Sequence, residues 1–217
     1  MKHAAAEALP TSPSISSSSP STSALAPSAD VLGDFWPGIQ IYYPPVKYAP
    51  ALGLYEDLEQ ASQRFKKHAW GTTAHTLIFD LEDGCRQKEM SRELLRRELP
   101  KMPKRKEVQV AVRINPFRTE EYEKDLQMVR DLSDHIDAVM LAKAGEAYGS
   151  PEIRDLSAVL VGLNHHITIQ PIIEHPKSLK IAPDLMQYAT VKHVVFGIHD
   201  FSKAMGIQIT PRRWTEE

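Results

Sequence analysis

Charged side chains close five apolar runs in this 217-residue sequence. Thr76–Leu81 carries Asp80 and passes into Glu82, Asp83 and Gly84. Arg113 lies near the end of Val108–Asn115, and Lys143 ends Ala138–Lys143. Glu174 follows Thr168–Ile173, and Asp200 follows Val191–Gly197. Continuous apolar runs of this kind read as parallel strands buried on both faces. In α/β folds the carboxyl ends of such strands gather where ligands bind. Carboxylates around one opening suit a hard divalent cation. Mg²⁺ is held by one or two of them, with water and substrate oxygens completing its octahedron. Glu174 and Asp200, from adjacent strands, are the candidate metal ligands. Glu82 and Asp83 are candidates for ordering water beside the metal or for acting as a base. Arg113 offers a rigid fork to a substrate carboxylate, with Glu174 a second substrate contact. Lys143 can stabilise an oxygen that becomes negative. Together these groups suggest chemistry through the enolate of a carboxylic acid, with the metal as Lewis acid and template.

Each residue also has a plainer reading. Asp83 could cap the helix that follows it. Arg113 could sit in a structural ion pair, Lys143 could be a solvated surface lysine, and Glu174-His175-Pro176 could be a polar turn. The functional reading rests on the set, because one rim receives a charge from each of five successive strands. Other candidates carry less. His165-His166 precedes a strand and so falls at the opposite end of the sheet. Cys85 has no evident base beside it. His199 adjoins Asp200, but a lone histidine is commonly structural. No Gly-x-Ser-x-Gly elbow is present.

The elements that must position these residues alternate. Ile39–Tyr43 is a short β-prone run stopped by Pro44-Pro45. Between the strands, helical faces run through Tyr55, Leu58, Ser62 and Phe65, then Met90, Leu94, Leu95 and Leu99, then Tyr122, Leu126, Val129 and Leu132. Ser150-Pro151-Glu152 reads as a helix start, with a capping hydroxyl and then proline at the first position. Ile153, Leu156, Val159, Leu160 and Leu163 continue that helix, and a fifth runs from about Ser178 to Tyr188. Strict alternation implies a parallel sheet, doubly wound or closed as a barrel. The first βα turn has no Gly-x-Gly-x-x-Gly, which removes the main support for a dinucleotide-binding fold. The expectation is an α/β protein, a (β/α)8 TIM barrel with about six of its eight βα units, since a complete barrel takes about 250 residues.

Met1 to Asp34 is dominated by Ser, Pro and Ala around Ser16-Ser17-Ser18-Ser19, so residues 1–34 are expected to be a disordered tail and 35–217 the incomplete barrel. The tail lacks a secretory apolar core and has no Arg, and a cytoplasmic location is expected. A net charge of −2 gives no electrostatic case for nucleic acid. No apolar run approaches the roughly 20 residues of a membrane span. The one cysteine cannot form an internal disulfide. Unpaired edges on an open sheet invite pairing, so a homo-oligomer is expected.

Phe79-Asp80-Leu81-Glu82-Asp83-Gly84, then Lys88 and Arg92, Val112-Arg113-Ile114-Asn115, Val139-Met140-Leu141-Ala142-Lys143, Ile172-Ile173-Glu174 and Gly197-Ile198-His199-Asp200-Phe201-Ser202 occur in this order. The succession resembles the citrate lyase β-subunit and malyl-CoA lyase group of the HpcH/HpaI aldolases, from about Ile39 to Ile207. The resemblance implies a barrel of the phosphoenolpyruvate/pyruvate-binding type. It also implies a Mg²⁺-dependent carbon–carbon lyase or aldolase acting on a 3-hydroxy acid or its CoA thioester, of citrate, malyl or citramalyl type. By position Glu174 and Asp200 match the metal ligands, Arg113 the substrate arginine, and Glu82 and Asp83 the acidic pair near the metal's waters. The sequence departs from the family in several places. The first strand offers Gln40 where an arginine is usual. Ala142 replaces the proline of Leu-Pro-Lys, and His175 follows Glu174. The Asp83–Lys88 loop is short, and the last strands are not matched. Two alternatives therefore stay open: a non-catalytic barrel serving binding or assembly, and an aldolase using free pyruvate without CoA.

Overall fold

The computed structural model describes residues 40–49, 54–163 and 166–208. The expected tail, His165 and the last residues of the chain lie outside that set. Strand β1 (Gln40–Tyr43) is followed by two short strands, β2 (Tyr48–Ala49) and β3 (Leu54–Tyr55). Helix and strand then alternate: α1 (Leu58–His68), β4 (Thr76–Asp80), α2 (Lys88–Glu98), β5 (Gln109–Ile114), α3 (Glu120–Asp131), β6 (Ala138–Leu141), α4 (Pro151–Gly162), β7 (Thr168–Ile173), α5 (Pro176–Leu185), β8 (Val195–Phe196) and α6 (Ile198–Ala204).

Six strands form one sheet in the order β1-β4-β5-β6-β7-β8, and every neighbouring pair is parallel. That order never reverses. A doubly wound sheet has a switch point where it does, so the sheet is that of a (β/α)8 barrel, with six strands of the eight. Register sorts the side chains into two faces. Tyr43, Leu77, Phe79, Val110, Val112, Val139, Leu141, Ile169 and Ile173 meet the helices in the larger apolar core. There Phe65 of α1 stacks on Phe79 with centroids 5.2 Å apart, and Tyr43 meets both rings edge-on at 6.0 and 5.9 Å. Ile78, Ala111, Ala138, Met140 and Ile172 form a second cluster on the inner face.

Local chemistry sets the helix starts. Asp57 accepts the Gln60 N–H at 2.8 Å while Gln60 Oε1 accepts the Asp57 N–H at 3.1 Å, a reciprocal capping box. Thr119 caps α3 through the Tyr122 N–H at 3.1 Å. Four details differ from the sequence expectations. Tyr55 belongs to β3, paired antiparallel with β2, rather than to α1. Ser150 makes no side-chain cap, since its own backbone is already helical at φ −59° and ψ −27°; Glu152 instead ties down the loop before it by taking the N–H groups of Gly145, Ala147 and Tyr148 at 2.7, 3.2 and 2.8 Å. Asp83 does not cap α2, which begins at Lys88 after an uncapped Gln87. The sixth strand is reduced to Val195–Phe196, with Val191 making only an isolated bridge to Ile169. No helix among the described residues is long and apolar enough to cross a membrane.

Candidate active site

The rim at the carboxyl ends of β4–β8 collects the residues singled out above. Asp80 ends β4 opposite Arg113 of β5 in the sheet register. The two make a fork: Arg113 Nε donates to Asp80 Oδ1 at 2.7 Å and Nη2 to Oδ2 at 2.6 Å. Gly84 allows this, since a Cβ there would stand 2.4 Å from Asp80 Oδ2. The remaining Arg113 nitrogen, Nη1, lies 3.4 Å from Glu82 Oε2. Burial opposes the charge on Arg113, but Asp80 and Glu82 outweigh it and hold the guanidinium above its ordinary pKa.

Glu82 is buried, and its other oxygen accepts Lys143 Nζ at 2.7 Å. Lys143 reaches Asp83 Oδ2 as well, at 3.4 Å. It sits at φ 51°, a left-handed conformation uncommon for a residue with a side chain. There its backbone N–H donates to Glu174 Oε2 at 2.8 Å, so one residue contacts three carboxylates. Desolvation works against the ammonium, but Glu82 and then Asp83 raise its pKa. Asp83 is 67% exposed at the side chain. Its partial burial is outweighed by a hydrogen bond with Glu82 and the charges of Lys143 and Arg113, and its pKa is lowered.

Glu174 follows β7 and is buried. Desolvation, with the charges of Glu82 and Asp200 adding to it, pushes its pKa up to about 7 against the Lys143 N–H and Arg113. Gly197 leaves the space that this carboxyl fills: a Cβ there would meet Glu174 Cγ at 2.4 Å and Oε1 at 2.9 Å. Asp200 lies in the first turn of α6, close enough to raise the Glu174 pKa. Two like-charged carboxyls, one of them desolvated, form a donor set that a divalent cation would relieve. Among the described residues no three carboxyl, imidazole or thiol groups form a fuller cage. Two carboxylates with water completing the shell are what Mg²⁺ takes, so the residues fit that ion.

Behind the rim, Lys88 Nζ donates to Leu81 O, Glu82 O and Asn115 Oδ1 at 2.6, 2.8 and 3.0 Å. Asn115 donates through N and Nδ2 to Asp125 Oδ2 at 2.8 and 2.7 Å. The other Asp125 oxygen accepts Arg92 Nε at 2.8 Å, and Arg92 also pairs with Glu89 and Glu121. This buried lattice fixes the backbone from which Glu82 projects.

The structure also brings in residues that the sequence did not mark. Tyr42 of β1 lies under Arg113, whose Cζ is 5.3 Å from the ring centroid. Glu146, on the loop after β6, is within electrostatic reach of Lys143, His175 and Asp200, and burial raises its pKa. Neither closes an apolar run, so strand-end charge could not flag them. His199 is exposed on α6 and His166 is exposed before β7. Cys85 is buried against Ser91 Oγ at 3.1 Å, and burial pushes its thiol up.

A parallel six-strand portion of a (β/α)8 barrel with an acidic rim defines the class. Residues 54–215 match the model of the HpcH/HpaI aldolase/citrate lyase family, and the chain belongs to that family. Solved structures support the fold. CitE from Mycobacterium tuberculosis in complex with magnesium and pyruvate is 21% identical, with a TM-score of 0.57 over 79% of this chain and 59% of that one. The citrate lyase beta subunit from M. tuberculosis complexed with oxaloacetate and magnesium is 22% identical, with a TM-score of 0.55 over 80% and 63%. RipC from Yersinia pestis is 21% identical, with a TM-score of 0.52 over 65% and 60%. The chain thus spans about 60% of the length of these structures. A comparison with curated proteins finds no match.

Proposed function

We propose that this chain carries the site of a Mg²⁺-dependent carbon–carbon lyase or aldolase acting on a 3-hydroxy acid or its CoA thioester. The observation that carries this reading is the buried Glu174 carboxyl, seated against Gly197, with the carboxylate of Asp200 near enough to act on it. Family membership supports it, as do the neighbours whose structures hold magnesium with pyruvate, with oxaloacetate, or with acetoacetate and coenzyme A. Glu174 and Asp200 would hold Mg²⁺, which when bound supplies a Lewis acid for a substrate oxygen.

The remaining residues handle charge and protons. Asp83, exposed and with its pKa lowered, would take the proton of the 3-hydroxyl group. As that proton leaves, the oxygen becomes a carbonyl and the neighbouring C–C bond breaks. Its electron pair becomes the enolate of the departing fragment, and a proton returned to carbon completes the product. Lys143, held between Glu82 and Asp83, supplies positive charge to the oxygen that carries this electron density. Arg113 would orient the substrate carboxylate through Nη1, on the guanidinium edge that Asp80 does not occupy and that Glu82 approaches only to 3.4 Å.

The test compares the chain with its Glu174→Gln variant. Calorimetry should show Mg²⁺ binding to the former, weakened at least tenfold in the latter. Mg²⁺-dependent cleavage of a citramalyl- or malyl-type substrate should disappear with it. Cleavage that persists in Glu174→Gln would refute the metal assignment.

A further inference from the structure

Strand β1 brings no charged group to the rim. The pairing Tyr42↔Ile78 puts Tyr42 on the same face as Ile78, which belongs to the inner cluster. Ile78 and Met140 on that face are wholly buried, whereas Tyr42 is 45% exposed. An aromatic ring left open on the inner face, beside the acidic rim, is where a bound molecule would gain contact area. Its position is fixed, because the Arg113 guanidinium lies over the ring at 5.3 Å and is itself gripped by Asp80. The hydroxyl makes no hydrogen bond among the described residues. Burial, with Asp80 and Glu174 nearby, keeps it protonated despite Arg113, so it is a neutral donor.

Charge around it narrows what it can receive. Asp80, Glu82, Asp83, Glu146, Glu174 and Asp200 surround or adjoin this opening; the side chains of Arg113 and Lys143 are already paired with carboxylates among them, and Lys88 is held by the carbonyls of Leu81 and Glu82 and by Asn115. A substrate carrying a second carboxylate beside β1 would find only Arg113 there, already paired with Asp80 and Glu82, and would meet this excess of negative charge. Like-charge juxtaposition of that kind discriminates strongly between ligands.

Building on the lyase reading, we propose that Tyr42 is the substrate-contacting residue contributed by β1, its hydroxyl donating to an uncharged oxygen of a monocarboxylic acid. The test measures calorimetric binding of pyruvate and of oxaloacetate in saturating Mg²⁺ to the chain, to Tyr42→Phe and to Tyr42→Arg. The chain should bind pyruvate about tenfold more tightly than oxaloacetate. Tyr42→Phe keeps the ring over Arg113 and removes only the donor; it should lose about 3- to 10-fold in pyruvate affinity, the value of one neutral hydrogen bond, with Mg²⁺ affinity unchanged. Tyr42→Arg should turn the preference toward oxaloacetate. Pyruvate binding by Tyr42→Phe equal to that of the parent chain, or a parent preference for oxaloacetate, would overturn the proposal while leaving the lyase reading standing. Failure of the parent chain to bind either acid in Mg²⁺ would overturn the lyase reading, and the role of Tyr42 with it.

Discussion

Asp80 Oδ1 and Oδ2 accept Arg113 Nε and Nη2 at 2.7 and 2.6 Å across the β4–β5 pair, both side chains largely screened from water. Removing one partner from such a buried, bidentate pair leaves an uncompensated charge, at a cost of about 3–5 kcal/mol. Asp80→Ala should therefore lower stability in urea by about 3 kcal/mol. A loss below 1 kcal/mol would show that the pair is solvated in solution.

Gly197 touches Glu174 so closely that an added methyl group must displace the carboxyl. Gly197→Ala should keep its far-UV circular dichroism and weaken Mg²⁺ binding at least tenfold. Unchanged Mg²⁺ affinity would separate Glu174 from the metal.

Lys88 is the single ammonium that holds Leu81 O, Glu82 O and Asn115 Oδ1 together. Cys85, whose N–H donates to Glu82 O at 3.0 Å, is buried beneath the same loop and is the only thiol in the chain. Lys88→Met should loosen the loop and speed Cys85 modification by a thiol reagent about tenfold or more, and Lys88→Arg should restore part of the protection. A rate unaffected by Lys88→Met would mean the backbone holds its place without it.

Glu56 joins the segment after β1 to α1 by accepting Arg64 Nε at 2.8 and 2.9 Å and the Lys47 N–H at 3.0 Å. Burial raises its pKa, but Arg64 and the Lys47 N–H outweigh this and the net shift is downward. A carboxylate with a lowered folded-state pKa adds stability above its unfolded value, about 4.3, and loses it as pH falls through the folded value. Glu56→Gln should cost about 1–2 kcal/mol at pH 7, and the difference from the parent chain should shrink below about pH 4. A difference independent of pH would point to packing instead of charge.

Phe196, Ile198, Met205 and Ile207 expose large apolar surfaces around β8, which among the described residues pairs on one side only. Edge strands with apolar neighbours promote association. Sedimentation of the chain should show oligomers that Phe196→Asp reduces. A monomer at high concentration would argue against this face as a contact.

The fold was largely legible because β4, β5, β6 and β7 are apolar runs bounded by proline, glycine or charge, and the helices between them repeat at 3.6 residues. β2 and β3 were not, since strands of two residues show no period, and Tyr55 fits a helical face as well as a strand. The charged rim residues could be located because each ends a run. Their partners could not: the Asp80–Arg113 fork depends on the β4–β5 register, and the position of Tyr42 depends on the parity that β1 acquires from pairing with β4. The Arg92–Asp125–Asn115 contacts join residues 33 and 10 positions apart, beyond any local pattern.

The uniform strand order has a consequence for how the chain is made. β4 pairs with the earlier β1, and from β5 to β8 each strand pairs with the one synthesised just before it, so among the described strands of this sheet each meets a partner already made. At about 5–20 residues per second, each βα unit emerges within seconds onto an edge that already exists. Synthesis therefore delivers Asp80 first and then Arg113, Lys143 and Glu174 in turn. Of these rim residues Asp200 follows Glu174, arriving with α6 after β8.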